Sequence, residues 1–140
     1  MRVENWESKL EEVIKETINK EKFVFGKNDC VTFVTNCVEI ITDKKVFNKK
    51  YKTLSEGKKI LKSLKSKDLL DIALKIAKEN NFKEIDIDKT QKGDVLYYTS
   101  STSDLNGTLG ICIGENVMFN WEKEITLMPK NNCKIAWRIE

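Results

Sequence analysis

Cys30 is the residue with the greatest chemical potential in this chain. In the segment Phe23-Val24-Phe25-Gly26-Lys27-Asn28-Asp29-Cys30-Val31-Thr32-Phe33-Val34, aromatics and a glycine precede an Asp-Cys pair that opens an apolar run. A thiol in the first turn of a helix has its anion favoured by backbone N–H groups that the helix leaves unpaired. Acyl transfer from such a thiol also needs a base that takes up a proton and returns it, normally an imidazole. The chain contains no histidine. Asp29 and Glu122 are candidate substitutes, but a carboxylate with an ordinary pKa of about 4 is poorly matched to a thiol near 8.5. The competing reading of Cys30 is a small buried core residue, since free cysteine is among the most buried residue types.

The other cysteines, Cys37, Cys112 and Cys133, add neither a metal site nor a disulfide framework. No two of the four form a C-x-x-C pair, so no metal and no cofactor are expected. Cys30 and Cys37 lie seven apart on one expected helix, about 10.5 Å along its axis and too far to bridge. Cys112 and Cys133 are close enough in an expected sheet to be neighbours, and are read as buried free thiols.

With 140 residues, 40% hydrophobic and 34% charged, the chain reads as a single globular domain over 1–140. No apolar run is long enough to span a bilayer. The opening Met-Arg-Val-Glu-Asn-Trp-Glu is acidic where a secretory signal is apolar, so Sec export is not expected. The net charge of +3 conceals a block from Asp43 to Lys67 with ten lysines against Asp43 and Glu56, a local +8 that leaves −5 elsewhere. Such a block is either a patch for an anionic partner or a solvated helical face. Nucleic acid is not the expected partner: the only arginines are Arg2 and Arg138, and no aromatics alternate with the lysines for stacking. Trp6, Trp121 and Trp137 are scattered along the chain and read as core or interface rather than as a glycan platform.

The elements that must position Cys30 follow from periodicity. Trp6, Leu10, Val13, Ile14 and Ile18 recur at helical spacing. Asn28 or Asp29 caps a second helix with Phe33, Val34, Cys37, Val38 and Ile41 inside. Thr53-Leu54-Ser55-Glu56 has the form of a capping box, and Ser66 is the expected cap of a fourth helix ending at Asn80-Asn81. After Asn81 the period changes to alternation: an edge segment at Ile85 and Ile87, then strands over Val95–Thr99, Thr108–Ile113, Val117–Trp121, Ile125–Met128 and Ile135–Ile139. Helices first and an antiparallel sheet afterwards make an α+β fold, with N-terminal helices packed on a C-terminal sheet.

The ordered set Phe-x-Phe-Gly-x-x-Asp-Cys-x-x-Phe, Lys92-Gly93-Asp94-Val95 and Leu109-Gly110-Ile111-Cys112-Ile113-Gly114 resembles the motifs of NlpC-like, papain-like cysteine peptidases. With Trp6, Tyr51-Lys52-Thr53 and the ending Ala136-Trp137-Arg138-Ile139, it more narrowly resembles an uncharacterised branch encoded among phage and prophage tail genes. The resemblance implies an NlpC-like fold over almost the whole chain and a Cys-His-polar triad. Carried over, Cys30 falls on the nucleophile, Thr108 on the missing histidine and Asn120 on the orienting residue. Threonine neither accepts nor stores a proton near pH 7 as imidazole does. The implied protein is therefore a pseudoenzyme: a structural or adaptor component of a virion tail, made in the host cytoplasm, whose partners are other tail proteins. The alternative is a peptidase or amidase acting on peptidoglycan through Cys30, with its base supplied by a partner chain.

An inherited triad geometry requires Thr108 and Asn120 on one sheet face. A three-residue loop at Gly114-Glu115-Asn116 pairs 110 with 120 and achieves this, whereas a two-residue loop at Glu115-Asn116 pairs 111 with 120 and does not. Glycine within the loop favours the three-residue form, with Asn120 expected opposite Gly110.

Overall fold

In the computed structural model, the described residues are 1–19, 28–100, 106–121 and 124–140. Four helices precede the sheet: α1 (Trp6–Asn19), α2 (Cys30–Thr42), α3 (Leu54–Ser63) and α4 (Leu69–Glu79). Six strands follow: β1 (Lys83–Ile85), β2 (Val95–Thr99), β3 (Gly107–Cys112), β4 (Asn116–Trp121), β5 (Glu124–Pro129) and β6 (Ile135–Arg138). They form one antiparallel sheet in the order β1-β6-β2-β3-β4-β5. This is an α+β arrangement. Among the described residues no helix is long and apolar enough to cross a membrane.

Alternation along the strands builds a core on each side of the sheet. Val95, Tyr97, Leu109, Ile111, Met118 and Trp137 meet the buried stripe of α2 (Phe33, Val34, Cys37, Val38 and Ile41) and Leu10 of α1. Leu96, Cys112, Val117, Phe119, Cys133 and Ala136 pack on the opposite face. Tyr97 and Tyr98 accordingly part company: Tyr97 is in the helix-side core, and Tyr98 lies edge-on to Phe119 at 6.3 Å. The α1 stripe is narrower than its periodicity suggests, because Ile18 is exposed.

The fourth helix starts later than expected. Its cap is Asp68, which accepts the Asp71 N–H at 2.9 Å, and not Ser66. The Ser66 hydroxyl is engaged instead by the Lys75 ammonium at 3.0 Å and by the Leu64 carbonyl.

Asp94 is fully buried and joins the two ends of the chain. Arg2 reaches its Oδ1 at 2.9 Å, Arg138 Nε contacts both carboxylate oxygens at 3.0 and 3.1 Å, and the Gln91 N–H donates to Oδ2 at 2.8 Å. Arg2 also donates to the Ile139 and Lys92 carbonyls and stacks 4.2 Å from the Trp6 ring centroid. The segment before α1, the start of β2 and the end of β6 therefore converge on one carboxylate. Removing one partner of a buried ion pair strands the others without compensation. Asp94→Ala is expected to lower stability in urea by about 3 kcal/mol, the low end of that class because both guanidiniums keep some water. A loss within the ordinary scatter of surface substitutions, about 0.5 kcal/mol, would contradict this role.

Candidate functional site around Cys30

Asp29 fixes where α2 begins. Its Oδ1 accepts the Thr32 N–H at 2.8 Å while the Thr32 hydroxyl accepts the Asp29 N–H at 2.9 Å, a reciprocal cap. Its Oδ2 accepts the Tyr51 hydroxyl, from 22 residues further along the chain. Both carboxylate oxygens are thus engaged in structural hydrogen bonds. Glu122 lies outside the described residues.

Cys30 is the first residue of α2, in the turn that packs against β3. Burial pushes its thiol from an ordinary 9.0 up to about 11. The Thr108 hydroxyl and the Leu109 N–H lie toward the sulfur and favour the thiolate, while the Asp29 carboxylate opposes it. Although Cys30 as a residue is partly exposed, the protein around it still desolvates the anion. Thr108 is itself fully buried, and its Oγ1 meets no partner at hydrogen-bonding geometry. Its influence on the thiol is that of a nearby dipole rather than of a formed hydrogen bond. Desolvation outweighs the helix terminus and the neighbouring donors, so the thiol is neutral at physiological pH.

Cys30 and Thr108 are therefore brought together. Asn120 is placed differently: its Nδ2 donates to Asn28 Oδ1 at 2.8 Å, anchoring β4 to the residue before the cap. The hairpin that carries it also differs from expectation. Its loop is Gly114-Glu115, closed by the Ile113 N–H on the Asn116 carbonyl at 2.9 Å, with Cys112 opposite Val117 and Ile111 opposite Met118. The expected pairing of Asn120 with Gly110 does not occur. Gly114 has φ of +133° at the first loop position, where the favoured two-residue loops require a positive value. Regular pairing of β3 with β4 stops after Ile111 and Met118. A Cβ on Gly110 would lie 2.7 Å from the Met118 carbonyl oxygen and the Phe119 ring, so this close approach requires glycine. Phe119 points away from the helices, and Asn120 reaches the start of α2.

Sequence reasoning gave no indication of an apolar cavity of about 100 Å³ beside Cys30. It is lined by Tyr51 and Gly57 together with Leu61, Ile72, Ala73 and Leu109. Gly57 offered a signal, because glycine inside a helix is less favourable than alanine by about 1 kcal/mol and needs a reason. Packing does not supply one: a Cβ there would make only ordinary contact with the Tyr51 ring, at 3.7 Å.

Residues 1–139 match a family described as a domain of unknown function, DUF6950. The chain belongs to the DUF6950 family. Comparison with the curated proteins gives no match. The match covers all the described elements, from α1 to β6, so the cap, the thiol and the cavity all fall within one DUF6950 domain.

Because the folded thiol titrates above the unfolded one, the neutral form is the one that folding favours. Its contribution is fully present below pH 9 and is lost as pH rises toward about 11. Urea unfolding across this range should show a steeper alkaline decline for the native chain than for Cys30→Ala. Superimposable slopes would show that the Cys30 thiol is not held protonated by the fold.

Proposed function

We propose that this DUF6950 chain is a non-catalytic NlpC-like domain that acts as a structural or adaptor component in the tip or hub region of a phage or prophage tail. The supporting observation is the pairing of Cys30 with Thr108. A thiol at the start of a capped helix faces a hydroxyl where the resembled peptidases have an imidazole, and its pKa is raised to about 11. At pH 7 only about one such thiol in ten thousand is ionised, and the hydroxyl cannot relay the proton that acyl transfer must move. Asp29 is occupied as a cap, and the chain has no histidine. The fold can present surfaces without performing chemistry. The tail assignment rests on the ordered motifs from Trp6 to Ile139.

A second reading is favoured by the Leu109 N–H and the Thr108 hydroxyl, both of which lower the cost of a thiolate at Cys30. In that reading the chain is a peptidoglycan peptidase or amidase, completed by a base from a partner chain.

The two readings separate in a turbidity assay on purified cell walls. The isolated chain is expected to give no clearing above that of Cys30→Ala, since loss of a triad member removes about 10⁴-fold or more of the rate in well-studied serine examples. Clearing that disappears in Cys30→Ala would overturn the non-catalytic reading. Thr108→His is the complementary variant: it restores an imidazole next to the sulfur and is expected to accelerate iodoacetamide alkylation of Cys30 at pH 7.

A further inference from the structure

The geometry points to a docking site on α3 for an acidic peptide segment of a partner protein, with one mid-sized aliphatic side chain of that segment seated in the cavity beside Cys30. It rests on the adaptor reading only in giving that adaptor a contact surface. The site itself is argued from three independent observations.

The first is charge. All ten lysines between Lys44 and Lys67 are exposed. Among the described residues, the ion pairs use Arg2, Lys89, Lys92 and Arg138, and none uses a lysine of this segment. A local +8 held without internal neutralisation is complementary to carboxylates of a partner. The second is continuity. Lys58, Lys59 and Lys62 line a shallow groove on α3 together with Leu54, and Leu54 also lines the apolar cavity. Carboxylates on the lysines therefore place a neighbouring side chain at the cavity. The third is size. About 100 Å³ is less than the ~150 Å³ of an engineered cavity that binds benzene, so one side chain fits and a long acyl chain does not. Gly57 belongs to the same design, since alanine there would favour the helix and reduce the space.

The test is a titration of the full chain, followed by methyl NMR, with a capped peptide of one leucine flanked by glutamates, taken to millimolar concentration. Shifts are expected at Leu61, Ile72 and Leu109, with affinity falling as salt is raised. Replacing the peptide leucine by alanine should weaken binding about tenfold, as the loss of one buried aliphatic side chain implies. K58E/K59E/K62E should weaken it to a similar extent. Gly57→Leu should abolish the preference for leucine over alanine. Gly57→Ala, which makes only ordinary contacts, should reduce that preference while raising Tm by roughly 3 °C. The titration reads the α3 lysines and the cavity, whereas the turbidity assay reads the Cys30 thiol, so an enzymatic outcome there leaves this proposal standing and its failure leaves the adaptor reading standing. Equal binding of the leucine and alanine peptides would overturn it. So would a lysine-dependent response to duplex DNA or phosphatidylglycerol vesicles where the leucine peptide gives none.

Discussion

A single buried carboxylate, that of Asp94, organises the fold by collecting both arginines of the chain. Arg2 arrives from the segment before α1 and Arg138 from β6, while the backbone of Gln91 and Ile139 closes the remaining positions around the carboxylate. Isolated charges are costly to bury, and this one is tolerated because every direction from it meets a donor. The consequence is positional. With β2 tied to β6 and to the N-terminal segment, β3 is set by its pairing with β2, and β3 is the strand against which the start of α2 rests.

The chemistry at that contact is a contest between burial and stabilising dipoles. A helix N-terminus, the Leu109 N–H and the Thr108 hydroxyl all favour a thiolate at Cys30, and desolvation still prevails. An imidazolium beside the sulfur would supply a full positive charge, whereas the Thr108 dipole supplies only a fraction of one. On the proposed non-catalytic reading, the residue at position 108 leaves the Cys30 thiol unactivated. The same first turn of α2 remains useful as structure, because Asp29 caps it and Tyr51 clamps the cap.

Local signals in the sequence were enough for the start of α2, since Asp-Cys follows a glycine and precedes a helical apolar stripe, and for the change from helices to an antiparallel sheet after Asn81. Contacts between distant residues were not legible. Lys92-Gly93-Asp94 reads as a turn, and nothing local shows that two arginines from opposite ends converge on it. Tyr51 gives no sign of reaching Asp29. Where two residues could serve one local role, tertiary engagement decided. Lys75 occupies Ser66 and leaves the cap of α4 to Asp68, and Gly114 takes the first position of a two-residue loop, shifting the register assumed for Asn120.

The account depends on Cys30 being a protonated thiol held by burial, and an NMR titration of its ¹³Cβ resonance in the folded full chain reads that state directly. The predicted midpoint is about 11, with no inflection near neutrality. A midpoint in the range of activated thiols, below about 7.5, would contradict the account and reveal a nucleophile prepared for catalysis.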